Sequence, residues 1–302
     1  LLCSGCASDG ARQAAFDRKI QRTEQRLIAA GDADSLAAAA ILRIGPKVDP
    51  AQRLALIASA VAEAPDRPDL VWLDIQLCIL AEGCNPEPIE AQLRAMDPGN
   101  GAGWFDSIGR AGQRNDVAAV RQDLRAIATS TRFDIYWNAT IAHVTNAILK
   151  THTMDSVTAF ITTTGAASVS AIPAYQTITN ACKGDSLQGP DVLETCRQVA
   201  AVMRSGDTYI TEMIGVAIAK RAWPQGSFEY LDAVGARRVA HYRMEADGKI
   251  SLHHLWSSRY VATRLRLMAE NRTEQEVAKA EMVDAKLNPN PPSEWTDPWA
   301  GT

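Results

Sequence analysis

The side chains able to do chemistry are few and poorly grouped. None of the five histidines, His143, His152, His241, His253 and His254, lies in an H-E-x-x-H or comparable ligand pattern. His253 and His254 are neighbours, and successive residues on a helix point about 100° apart, so the pair chelates one ion poorly and reads as a helix surface or helix start. The chain has no G-x-S-x-G elbow, no Walker loop and no G-x-G-x-x-G opening a helix after a strand. No cofactor, metal or catalytic residue is expected on that basis. The abundant Ser and Thr residues read as caps and loops because no base accompanies them. Glu194, Glu212 and Glu229 are the acids that a glycan hydrolase would need to converge across a cleft. Each also reads as an ordinary helix-surface or capping residue.

Four internal cysteines fall into two local pairs, Cys78 with Cys84 and Cys182 with Cys196. The first pair would join a helix end to the turn after it, and the second flanks the loop Lys183 to Pro190. Two such disulfides suit an oxidising compartment; the alternative is four reduced, buried thiols. The spacings are not C-x-x-C and no His lies close, which argues against zinc. The other distinctive group is cationic: Arg237, Arg238, Arg243, Arg259, Arg264 and Arg266. Arg259 and Arg266, seven apart, share a helical face. With Arg237 and Arg238 they define a candidate binding patch for an acidic partner or lipid headgroups, set against a solvated face paired with Glu229, Asp232, Glu245 and Glu270.

The chain opens Leu1-Leu2-Cys3-Ser4-Gly5-Cys6-Ala7-Ser8. This stretch resembles the lipobox of bacterial lipoproteins, in which an apolar run and two small residues precede a Cys that is acylated. The resemblance implies lipidation at Cys6, with Ser4 and Gly5 as the small residues and Cys3 where the pattern usually has Leu. It further implies a signal-peptide remnant and lipobox linker over 1–10, a lipid anchor to a membrane and, because Ala7 follows Cys6, passage to the outer membrane. No apolar run approaches the roughly 18 residues of a spanning helix; Ala37 to Leu42 is the longest. With 31 basic and 35 acidic side chains, a net charge of −4 and 46% hydrophobic residues, the chain has an ordinary globular composition and lacks the basic surface that nucleic acid requires.

Positioning falls to helices. From Ala11 to Leu287 apolar residues recur at three and four, as in Asp207 to Arg221, where Ile210, Met213, Ile214, Ala217 and Ile218 line one side. Thr273-Glu274-Gln275-Glu276 is a capping box, and Pro190 with Asp191 to Glu194 marks another start. Breakers fall at Gly45-Pro46, Pro65-Asp66, Asp97 to Asn100, Gly189-Pro190 and Pro224 to Gly226, and Asp247-Gly248 reads as a turn between two late helices. Trp72 and Trp104 are 32 apart and Pro65 and Pro98 are 33 apart, near the period of a helical repeat. Trp104-Phe105-Asp106-Ser107-Ile108-Gly109-Arg110-Ala111, with the turn at Asn115-Asp116 and then Val120, Leu124 and Ile127, resembles a tetratricopeptide repeat, Ala111 standing where that repeat has an aromatic. The resemblance implies an all-α fold of stacked antiparallel helix pairs, a TPR-like α-solenoid or superhelix, over 11–132. A helix is expected over Asp134 to Lys150. Residues 133–287 form either a second helical half or a continuation of the first. The segment 288–302, with four prolines and two tryptophans, reads as an extended tail whose Trp295 and Trp299 either pack back or stay free.

Trp72, Trp104 and Trp137 are expected to pack at helix starts. One helical hairpin cannot bury its apolar face alone, so several must stack, and stacked hairpins offer a groove. The expectation is a non-enzymatic scaffold of the cell envelope that binds an envelope protein or peptide. The alternative is an envelope hydrolase acting on cell-wall glycan.

Overall fold

The computed structural model of the protein describes residues 4–42, 49–168 and 172–298. Among them the chain is all helical, with no strand. The helices are α1 (Ser4–Ala30), α2 (Ala33–Leu42), α3 (Pro50–Glu63), α4 (Pro68–Ile79), α5 (Glu87–Met96), α6 (Phe105–Gln113), α7 (Val117–Ala128), α8 (Trp137–Lys150), α9 (Ser156–Ala167), α10 (Ile172–Ala181), α11 (Pro190–Arg204), α12 (Tyr209–Ala222), α13 (Phe228–His254), α14 (Ser258–Glu270) and α15 (Glu274–Asp284). Their boundaries follow local chemistry. Proline occupies the first turn of α3, α4, α5 and α11, where its missing N–H costs no hydrogen bond. Asp116, Asp155, Thr208, Ser227 and Ser257 cap α7, α9, α12, α13 and α14 through side-chain oxygens. Thr273 and Glu276 form the expected capping box.

Successive helices pair along most of the chain, but the pairs also close on one another across long sequence separations. Helix α10 packs on α6, α11 on α7, α8 on α2, and α14 on α8. The loops behave as the 32-residue spacing suggests. Gly101 N donates to Arg132 O at 2.8 Å and Thr131 N to Gly99 O at 2.9 Å, so consecutive hairpins are joined at the same end. One apolar cluster runs from Val71 to Ala233 and therefore crosses residue 132 without a break. At its centre Phe105 is fully buried, with ring centroids 4.6 Å from Tyr175, 5.5 Å from Phe133 and 6.2 Å from Trp72. A second cluster joins α1 to α4 with α8 and α9, burying the whole Ala37–Leu42 run.

Several local expectations are corrected. Trp104 ends a short 3-10 turn (Gly101–Trp104) rather than opening a helix, and it is half-buried; its neighbour Phe105 takes the core position. Helix α8 starts at Trp137 rather than Asp134, because Tyr136 adopts a left-handed conformation and Asp134 is drawn into loop hydrogen bonds. Asp247-Gly248 is not a turn but lies inside the 27-residue α13. A mid-helix Gly costs about 1 kcal/mol relative to Ala, and Asp247 offsets this through its bidentate pairing to Arg264 described below. On α12, Ile210 is exposed while Ile218 is buried as expected, and the buried residues are Tyr209, Thr211, Gly215, Val216, Ile218, Ala219 and Ala222. Glycine is required at 215 because a Cβ there would lie 2.6 Å from Arg204 N and 2.9 Å from Ala200 O, so α11 passes too close for a side chain. The breaker Gly45-Pro46, the side chain of Cys6 and Trp299 lie outside the described residues.

Candidate functional site

Both expected disulfides are present, Cys78 with Cys84 and Cys182 with Cys196. The second closes the loop that carries a 3-10 turn (Gly184–Gln188) into α11 and so fixes the start of α11 against α7. Between these elements lies a groove of about 480 Å³, lined by Arg121, Leu124 and Arg125 from α7 and by Ser186, Gly189, Pro190, Asp191, Val192 and Thr195 from the other side. Leu124, Pro190 and Val192 supply its apolar part. Arg121 and Arg125 stand one helical turn apart and are exposed; Arg125 Nε donates to Arg121 O at 3.2 Å, and neither guanidinium is ion-paired to a carboxylate whose side chain is described. The first turn of α11, with its unpaired N–H groups, borders the same groove. Such a surface can hold an extended chain bearing a carboxylate: two guanidinium forks for the charge and a short apolar floor for neighbouring side chains.

The four arginines of the expected patch divide between two helices. Arg237 and Arg238, on α13, hold the chain's own tail. Arg238 Nη2 donates to the carbonyls of Pro292 at 2.5 Å and Trp295 at 2.8 Å, and Arg243 Nε donates to Pro289 O at 3.0 Å. Asp297 sits 2.8 Å from His241 Nδ1 and 3.7 Å from Arg237 Nε. Trp295 packs back, edge-on to Tyr242 at 5.4 Å, and its Nε1 donates to Glu245. Arg259 and Arg266 lie on α14, both exposed, with Arg266 paired to Glu270 at 2.8 Å. The sequence signal for this tail dock was present but unread: prolines lack donors, so a Pro-rich segment offers mainly carbonyl acceptors, which suit the arginines Arg238 and Arg243 on one helix.

The three candidate acids stand on three helices. Glu194, on α11, is paired with Arg197 at 3.5 Å; Glu212, on α12, accepts from Gln275 at 3.0 Å and is pushed up by burial; Glu229, on α13, is exposed. His143 contacts Asp34 at 3.4 Å, and this contact, opposing burial and together with Arg67, lowers the carboxyl to about 2. His253 and His254 are exposed at the end of α13, and among the described residues no three His, Cys, Asp or Glu side chains are grouped to hold a metal ion.

Three buried polar centres escaped sequence reading. Asp207, fully buried, accepts from Ile135 N and Trp137 N, both at 3.0 Å, and thereby caps α8 from 70 residues away. Burial and the nearby Asp134 push its pKa well up. Asp106 is buried beside Gln76, whose Nε2 donates at 2.7 Å; burial, reinforced by Glu90, raises it to about 7. Arg264 joins three helices, meeting Asp247 of α13 at 2.8 Å, Tyr260 of α14 at 2.9 Å and Glu281 of α15 at 2.5 Å. These groups tie helices together across the frame, with Glu281 Oε1 buried and without a hydrogen-bond partner among the described residues.

The described residues form an all-α protein with a groove between α7 and the start of α11. Compared with known proteins, the chain matches no family model, no curated sequence and no solved structure at a significant level. Among the described residues no helix is long and apolar enough to cross a membrane.

Proposed function

We propose that the protein is a non-enzymatic scaffold of the bacterial cell envelope, held to a membrane by a lipid on Cys6, that binds an extended acidic segment of an envelope protein or peptide. The observation that carries this reading is the α7–α11 groove with Arg121 and Arg125 exposed on one of its walls and, among the described side chains, in no ion pair. The Cys182–Cys196 disulfide holds one wall of that groove, so less order has to be imposed when a ligand arrives. Two disulfides also support residence in an oxidising compartment. The scaffold reading is tested by selecting random peptides on the full chain. Enrichment of peptides with Asp or Glu is expected, with affinity falling at least tenfold in the Arg121→Glu/Arg125→Glu double variant. Equal binding by that variant, or selection without acidic residues, overturns it. Lipidation is tested separately: Cys6→Ala in the full-length precursor should release the protein from membranes, and unchanged partitioning refutes the anchor.

A further inference from the structure

The corner between α13 and α14 carries two large apolar side chains that no described element covers. Leu252 and Trp256 are each 78% exposed and lie one helical turn apart. A Trp is seldom so exposed in a folded protein, and aromatic rings of this kind concentrate where an apolar medium meets water. The segment that forms the corner is basic, and acids from its flanks and from α15 pair with three of its four cations. From Gly248 to Ala269 the chain has no Asp or Glu but carries Lys249, Arg259, Arg264 and Arg266, in a protein whose net charge is −4. Arg264 is turned inward to Asp247 and Glu281. Arg259 is exposed and without an ion-pair partner among the described residues, and Lys249 and Arg266 reach the rim through exposed pairs with Glu245 and Glu270. Such exposed pairs hold little and are readily exchanged for another anion.

The corner is also braced from within. Tyr260 OH lies 2.9 Å from Ser251 Oγ and accepts from Arg264 at 2.9 Å, and its ring stands 6.0 Å from that of His254. Leu252 is thus presented by the last turn of α13 and Trp256 by the braced turn Leu255 to Ser257. The opposite end of α13 provides a contrast within the same helix. Phe228 and Leu231 are exposed there at 81% and 58%, flanked by the exposed Glu229 and by Asp232, which pairs with Arg204 at 2.7 Å. At about 1.5 Å per residue the two ends are some 35 Å apart.

We propose that the α13–α14 corner docks on an anionic lipid surface, with Leu252 and Trp256 entering the headgroup layer and Arg259 and Lys249 meeting phosphates. This contact is separate from the acyl anchor and from the groove. It would orient the body on the membrane, since a lipid tether fixes distance but not attitude.

The test uses the full chain with Cys3→Ser and Cys6→Ser, so that no acyl group contributes, and measures co-sedimentation with vesicles of phosphatidylcholine alone or with about a third phosphatidylglycerol. Binding is expected on the anionic vesicles and should weaken as salt is raised. Leu252→Ala/Trp256→Ala should lower the partition coefficient at least about tenfold, and Arg259→Glu about fivefold or more, while Phe228→Ala/Leu231→Ala leaves it unchanged. All four positions are exposed, and unchanged melting temperatures will show that each variant folds. Absence of binding, equal binding to neutral vesicles, or insensitivity to the corner substitutions overturns the proposal.

Discussion

Asp106 and Phe105 are adjacent, both buried, and opposite in what they do for the fold. Asp106 is raised to about 7 chiefly by burial, against an unfolded value near 3.9. Between about pH 4 and pH 7 the folded chain therefore holds a proton that the unfolded chain has lost. This contribution to stability is fully present below about pH 4 and is lost as pH rises toward 7, by an amount on the order of 4 kcal/mol at most. Asp106→Asn keeps an acceptor for Gln76 and cannot ionise, so melts across pH 5 to 9 should show the variant gaining on the parent as pH increases. A parallel pair of curves would refute the linkage. At Phe105 the expectation is a loss of about 3–5 kcal/mol on truncation to Ala, because the ring is fully buried among three aromatics. Trp104→Ala should cost less, about 1–2 kcal/mol, since Trp104 is half-buried and Arg94 lies 4.4 Å over its ring on the outer side. The sequence placed an aromatic at a helix start here but named the wrong one, because a 3-10 turn before the helix shifts which of two neighbouring rings points inward. Denaturant melts of both variants decide the order.

Helix boundaries were legible where the cause is local and obscure where it is tertiary. Asn115-Asp116, Pro190 and the Thr273 box act within a few residues, and the structure has a left-handed Asn115 and caps at Asp116 and Thr273 as the types suggest. The start of α8 depends on Asp207, 70 residues further on, and no window of sequence contains both partners. Asp247-Gly248 has the composition of a turn, yet the Arg264 pairing keeps it helical. Face assignment on α12 held for Ile214 and Ile218 and missed at Ile210 for a related reason. Counting large apolar residues selects Ile210, whereas the decisive property is smallness at Gly215, which lets α11 approach. The consequence is testable at the level of this helix pair: Gly215→Ala adds a Cβ against backbone atoms of α11 that cannot swing aside. It should destabilise the protein by about 1–3 kcal/mol even though Ala is the better helix former. A stabilised variant in thermal melts would show that the two helices are further apart than described here.

At the scale of the whole molecule, the sequence left residues 133–287 as either a second half or a continuation, because periodicity describes each helix and not which helices meet. The packing favours one cooperative body. Helices α10 and α11 cover α6 and α7, α8 sits on α2, and the cluster around Phe105 draws on residues from Val71 to Ala233. In a linear repeat array each unit touches only its neighbours, and a chain cut between units keeps most of its stability. Here a chain ending at Arg132 would expose the faces of α6, α7 and α2 that later helices bury, including Gly109 and Gly112, whose lack of side chains lets α10 approach. Residues 1–132 alone should therefore show no cooperative melt and should bind an apolar dye, whereas the full chain should unfold in one transition seen alike by far-ultraviolet dichroism and by Trp emission. Cooperative melting of 1–132 near the temperature of the full chain would mean that the first hairpins stand as an independent domain and that the contacts from α10, α11 and α8 add little to them.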